Sequence, residues 1–430
     1  MRRLGPVLGA SLLAWPASAA ADVGPERFLS EHANLTFGAA LAGDGSRLAV
    51  GAPGANDVGF DAGAVYVYGR DRGEWVLRQR LEPDTGPYQH FGSALALDGD
   101  TLLVAGEAPL ATGGATGVAH LYEVEHGELV ARERWVLDEQ ASLGYLGLAV
   151  AVDGDTLAFG GYLAQTTATV PGGRVRVMRR AGGQWVEEAD LGGGELLGAT
   201  LAIDGDWLFV QADYGERVAI YRRDAGGVWQ AQPDLELAGA EGPIEAATIV
   251  SDDGALVIAD RVSPVLHFYG PGAGGWQRVD TRSYVGDMYS EGYGEALAIG
   301  DGRVAYTSTV QTYEPAFSHV DTIHVLRRDG DAWVDDGEVE RDARSDVHEA
   351  FGARLALAGG TLLAGAPEYG DPGYERSGQV HVFARDGGWE ARQILGPDDV
   401  LGGDGCGCRG GVAPGWYALL LVWPRRRRRP

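Results

Sequence analysis

FGSALALDGDTLLVAG, residues 91–106, decides how the rest of the chain is read. Two alternating apolar runs, SALAL and TLLVAG, flank Asp98-Gly99-Asp100. Asp-Gly between such runs signals a hairpin, because the tight turn needs a residue at positive φ. The stretch is one copy of several. FGAALAGDGSRLAVG at 37–51 and FGARLALAGGTLLAG at 351–365 nearly repeat it. Aligned on this refrain, copies begin at Phe37, Phe91, Leu146, Leu197, Glu245, Tyr293 and Phe351, at intervals of 48 to 58 residues. The second position is glycine in six copies and Ala246 in the remaining one. A fixed period of this size is the mark of a repeat architecture.

Each copy carries the same four short apolar runs. The third is VYVY at 65–68, VAHLY at 118–122, VRVM at 175–178, VAIY at 218–221, VLHFY at 265–269, IHVL at 323–326 and VHVF at 380–383. The fourth opens with Trp75, Trp185, Trp229, Trp276, Trp333 or Trp389, with Leu129 standing in once. These tryptophans are expected to pack between neighbouring units. Seven units of four antiparallel strands predict an all-β chain, a seven-bladed β-propeller over residues 37–397. Small residues in the first run of each copy suit inner strands crowded around a central channel. The copies leave no room for a separate catalytic domain.

Phe-Gly at the start of copies, together with Gly51-Ala52-Pro53 and Gly365-Ala366-Pro367, resembles the FG-GAP repeat, the propeller unit also found in integrin α-chains. The resemblance implies a propeller and, in many members, a calcium loop between the first two strands. Here that place holds only a tight turn, as at Asp98-Gly99-Asp100 or Asp204-Gly205-Asp206. Such a turn is too short to wrap six to eight oxygens around calcium. No metal and no other cofactor is therefore expected, with calcium in the longer loops left open.

The chain has 430 residues, a net charge of −26, 68 glycines, two cysteines and 35 arginines without a lysine. Eight arginines lie at the ends, so the middle sets 27 against 61 acidic residues. A body that acidic repels phosphate backbones and argues against nucleic acid as a partner. Residues 1–21 combine two arginines, a short apolar run and Ala17, Ala19 and Ala21, the pattern of a signal peptide cleaved after Ala19 or Ala21. Residues 22–36 lead into the repeats. Beyond them, 398–411 form a glycine-rich linker with Cys406 and Cys408, and 412–430 a short apolar segment ending in five arginines before Pro430. The apolar segment is too short to span a bilayer comfortably. This tail resembles the MYXO-CTERM sorting signal, a short sorting helix with a basic end. That resemblance implies membrane contact before processing at Cys406 or Cys408. The protein would then stand on the cell surface or outer envelope, or be secreted after tail removal. Export and sorting machinery would be its partners.

In a propeller the connections between strands one and two, and three and four, share one face, where they are short. Connections from strand two to three, and from blade to blade, share the other, where they are long and varied. Variable loops on a rigid scaffold are where function tends to sit. Those loops hold Asp57, Phe60, Asp61, Tyr88, Tyr284, Asp287, Tyr289, Tyr313, Phe317, Tyr369, Asp371 and Tyr374 as candidate ligand-binding residues. Aromatic faces beside carboxylates suit sugars, peptide side chains or cations. His90, His319 and His348 lie on the same side and read as solvated loop residues. The chain contains no nucleophile elbow, zinc-protease pair or phosphate loop. The expectation is thus a non-enzymatic, surface-anchored module for adhesion to an extracellular glycan or protein, with no catalytic residue. The alternatives are a glycan-acting hydrolase or lyase using convergent carboxylates such as Asp57, Asp287 and Asp371, or a structural envelope protein.

Overall fold

The computed structural model describes residues 35–399 except 84–85, 110–114, 138–144, 164–171, 196, 236, 240–241, 244–245, 261–264, 284–295, 313–317, 344–349, 370–376 and 398. The signal and tail motifs, with Ala19, Ala21, Cys406 and Cys408, lie outside the described residues.

Blade 1 shows the plan. Strands Ala40–Gly43, Arg47–Ala52, Ala64–Asp71 and Glu74–Leu81 pair antiparallel in chain order. Six further four-stranded blades follow at 95–136, 145–195, 201–232, 246–283, 297–343 and 354–395, each also in chain order. First strands contact the first strands of neighbouring blades around the ring, that of blade 7 returning to that of blade 1. The molecule is a seven-bladed β-propeller. Among the described residues no blade mixes strands from the two ends of the chain, and the ring closes through side chains and a backbone bridge between Phe37 and Gly378.

The hairpin turns follow from their residues. Gly99, Gly154 and Gly205 take positive φ at the first turn position, with φ of 52°, 55° and 59°. Each is followed by an aspartate, the pattern of a two-residue turn with glycine leading. These turns also tie blades together. Asp98 accepts a hydrogen bond from Gly154 N at 2.7 Å, Asp204 from Gly254 N at 2.8 Å, and Asp301 from Gly360 N at 2.8 Å. The turn aspartates thus form a collar around the short-turn face.

Among the described residues, buried apolar side chains fall into seven clusters, and each cluster joins two neighbouring blades. The tryptophans opening the fourth strands pack toward the preceding blade, as the sequence predicts. Trp276 meets Phe209 of blade 4 edge-on at 4.8 Å, and Trp333 meets Phe268 of blade 5 at 5.3 Å. The refrain has its own seam role. The N–H groups of Gly38, Gly92, Gly198 and Gly352 each donate to a second-strand carbonyl of the same blade at 2.9 Å. In turn, Gly51 lies so close to Gly92 that a Cβ at Gly51 would sit 2.1 Å from the Gly92 carbonyl oxygen. Gly365 stands in the same relation to Gly38, at 2.3 Å. The Phe-Gly of one blade therefore meets the Gly-Ala-Pro glycine of the blade before it, and only glycine allows that backbone approach.

Candidate functional site

On the long-loop face, the loop after the second strand of blade 1 and the connection to blade 2 are zipped together. Tyr88 N donates to Phe60 O at 2.7 Å, His90 N to Asp61 O at 3.0 Å, and Phe91 N to Ala62 O at 3.1 Å. Asn56 accepts from Asp61 N at 2.7 Å and fixes the bend. Asp61, Tyr88 and His90 all have positive φ, at 50°, 60° and 43°. Three such residues in two adjoining loops mark a backbone held in place by its surroundings.

The result is a ledge with an aromatic top. Phe60 and Tyr88 remain 60% and 58% exposed, although their ring centroids are only 5.5 Å apart. The two large exposed rings, tilted by 59°, offer an aromatic platform to an apolar sugar face. Below them, Asp57 forms an ion pair with Arg80, which reaches Glu82 at 3.3 Å and lies over the Tyr66 ring at 5.2 Å.

The adjoining histidine corrects the reading of His90 as a solvated loop residue. Its ring is half-buried, and Nδ1 lies 3.4 Å from a Glu107 carboxylate oxygen. The Glu107 carboxylate holds the imidazole above its ordinary pKa, with burial opposing and Asp61 adding a smaller push in the same direction. Glu107 is positioned by its own N–H, which donates to Gln89 O at 2.6 Å. A histidine buttressed at Nδ1 by a carboxylate is the arrangement of a general base. Nothing linear in the sequence joins His90 to Glu107, 17 residues on; only the fold does.

Of the other predicted residues, Tyr369 is half-buried in blade 7, its N–H donating to Ala366 O at 3.1 Å and its carbonyl accepting from Gly378 N at 3.0 Å. Tyr284, Asp287, Tyr289, Tyr313, Phe317, Asp371 and Tyr374 lie outside the described residues, as does His348. Asp57, Phe60, Asp61 and Tyr88 are thus the sequence-derived residues brought together here. Among the described residues, no group of three His, Cys, Asp or Glu side chains could hold a metal ion.

No protein-family model and no curated protein matches the chain. Solved propellers do. A candidate 6-phosphogluconolactonase of Bacteroides uniformis superposes with a TM-score of 0.52 at 14% identity, covering 78% of this chain and 93% of its own. The periplasmic gluconolactonase of Pseudomonas aeruginosa gives 0.47 at 16%, covering 78% and 93%. The Cps50 (Swd1) β-propeller domain from Myceliophteria thermophila gives 0.49 at 11%, covering 81% and 96%. At these identities the likeness is one of fold. It nevertheless overturns the expectation of a non-enzymatic adhesion module, because that expectation leaned on the lack of a linear catalytic motif. The Bacteroides uniformis protein that shares the fold is named as a lactonase, and a site assembled from separate loops needs no linear motif.

Proposed function

We propose that the protein is an exported propeller hydrolase that opens sugar-derived lactones on its long-loop face. One observation carries the reading: the His90–Glu107 pair stands at the foot of the exposed Phe60–Tyr88 platform. The platform would seat the sugar ring. His90 would take a proton from water as it adds to the lactone carbonyl, then return it to the ring oxygen as the C–O bond breaks. The product is an open hydroxy acid, and no other reactant is needed. Removing a general base of this kind lowers kcat by roughly 10²–10⁴. The neighbours named as gluconolactonases support the choice of substrate class.

The repeats are assigned to the FG-GAP type, supported by the glycine contact between Phe-Gly and Gly-Ala-Pro across two seams. The ends are assigned to a signal peptide and a MYXO-CTERM-type tail, which would carry the disc to the cell surface. Intact mass of the exported protein, starting at Ala20 or Asp22, tests the first assignment.

The activity test is base uptake in a pH-stat with gluconolactone and 6-phosphogluconolactone. Ring opening above the spontaneous rate is expected, lost in His90→Ala. In Phe60→Ala, KM should rise with the fold intact. A wild-type protein that leaves the spontaneous rate unchanged with both lactones would overturn the reading.

A further inference from the structure

In two seams a carboxylate of one blade meets an arginine and a tryptophan N–H of the next, and in a third it meets the arginine alone. Glu123 receives Arg180 at 2.7 Å and the Trp185 N–H at 3.0 Å. Glu188 receives Arg223 at 2.6 Å and the Trp229 N–H at 3.0 Å. Asp336, almost wholly buried, receives Arg385 at 2.8 Å, and Trp389 fills the same seam. Glu188 and Asp336 share a structural origin. Each is the extra residue of a β-bulge in its fourth strand, where the register skips one position.

The seam between blades 1 and 2 differs from the 3/4 and 6/7 seams at three points. The extra bulge residue of blade 1 is Arg78, since Val67 faces Gln79 and Tyr68 faces Leu77, and blades 2 and 7 carry Arg132 and Arg392 at the same place. The tryptophan position holds Leu129, and Val124 lies beside it in the same apolar cluster where the arginine would be. The smaller Leu129 and Val124 leave a cleft of about 440 Å³ on the short-turn face. Arg47, Arg70 and Arg78 line it from blade 1, and His126, Glu128 and Leu129 from blade 2. The arginines have little to neutralise them. Arg47 reaches the exposed Asp100 at 3.4 Å, and Arg78 the exposed Asp71 at 3.7 Å. Exposed pairs of that length are weak. Arg70 lies over Trp75 at 4.5 Å, donating to the Gly45 carbonyl and to Thr361.

We propose that this cleft binds a small carboxylate- or phosphate-bearing ligand of about monosaccharide size. The volume falls within the range of small-molecule sites. Guanidinium groups recognise both oxyanions through paired N–H donors. The ligand's anion would fill the place that Glu188 and Asp336 hold in the 3/4 and 6/7 seams. Its body would lie against Leu129, where the indole is missing. The site is on the face opposite the His90 ledge, so it stands or falls apart from the hydrolase reading.

The test is calorimetric titration of the full chain with inorganic phosphate and, separately, with gluconate. Phosphate decides, because gluconate would also be a product at the ledge. Millimolar or tighter binding of phosphate is expected, unchanged in Phe60→Ala. It should weaken at least about tenfold in Leu129→Trp, which fills the cleft with the side chain found in the other blades. The double variant Arg47→Gln/Arg78→Gln should weaken it likewise without adding bulk, so the result does not hang on one variant folding. Response to phosphate alone marks a phosphate ligand, and response to both marks oxyanions in general. Absence of phosphate binding by the wild type, or equal binding by both variants, would overturn the proposal.

Discussion

Between blades 3 and 4, Trp229 fills the seam, its indole N–H donates to Glu188, and Arg223 grips the same carboxylate. Between blades 1 and 2, Leu129 takes the tryptophan's place and an amide closes the seam. Gln79 donates to Leu129 O at 2.8 Å and accepts from Leu129 N at 2.9 Å. The same clamp recurs where the ring closes, Gln393 holding the backbone of Trp75 at 2.7 and 2.9 Å. Two chemistries therefore perform one task. The indole removes more apolar area from water and the amide clamp fixes the backbone; Trp75 combines the two, whereas Leu129 has the clamp alone and leaves its seam less filled.

Breaking the two seams in parallel should show the difference directly. Trp229→Ala removes a buried indole and leaves Glu188 short of a donor. It should cost about 3–5 kcal/mol in urea unfolding, while Leu129→Ala, beside an existing cleft, should cost about 2–3. An equal or larger loss at Leu129 would mean that the clamp does not carry its seam.

Glycines sharpen the comparison further. Gly51→Ala would press a Cβ against the Gly92 carbonyl, and the blades must separate or bend to accept it. A loss of about 3 kcal/mol is expected. Gly99→Ala keeps a positive φ but meets no atom within 4 Å, so only the conformational cost of about 1–2 kcal/mol applies. Thermal melts of the two variants give the ordering.

A third handle is acid. The position held by Tyr66 in blade 1 is His120 in blade 2 and His381 in blade 7, each edge-on to the refrain phenylalanine of its blade, Phe91 or Phe351. Burial, helped by Arg134, lowers His120 to about 4; burial, helped by Arg341, lowers His381 to about 3. Both rings stay neutral in the folded protein. Their contribution is complete above the unfolded value near 6.5. It is lost by about 1.4 kcal/mol per pH unit per ring as pH falls from there toward about 4 and 3. His381→Gln should flatten the acid limb of a stability–pH curve by one ring's share. A parallel limb would mean that His381 charges freely.

Such residues show why the fold was legible and the site was not. The refrain, the Asp-Gly turns and the tryptophan spacing are local, and each copy repeats the message, so strand order and blade number followed from the sequence. The Phe-Gly and Gly-Ala-Pro motifs were also visible, although their contact appears only when Gly51 and Gly92 are placed in adjacent blades. His90 and Glu107 belong to different segments and carry no spacing rule. The reading of His90 as solvated failed because a carboxylate from the end of a second strand reaches it in space. At the 1/2 seam Leu129 was evident as an exception, whereas the bulge position that Arg78 shares with Arg132 and Arg392 shows only in the register.

The smallest expected effect separates two aspartates of the turn collar. Asp204 accepts from Gly254 N at 2.8 Å and from Ser251 Oγ at 3.2 Å, so Asp204→Ala should cost about 1 kcal/mol. Asp252 differs. Burial, and after it the charges of Asp204, Asp253, Asp301 and Asp153, raise its pKa above the ordinary carboxylate value. A group raised in this way favours the folded state below its unfolded pKa and loses that advantage as pH rises through the folded one. At neutral pH the ionised Asp252 therefore opposes folding. Because it is half exposed and solvent screens it, Asp252→Asn should stabilise by only about 0.5 kcal/mol at low salt. The gain should fade both in high salt and below pH 4. One carboxylate of the collar holds the blades together and its neighbour strains them; an Asp252→Asn variant that destabilised at every pH would place Asp252 among the tying residues instead.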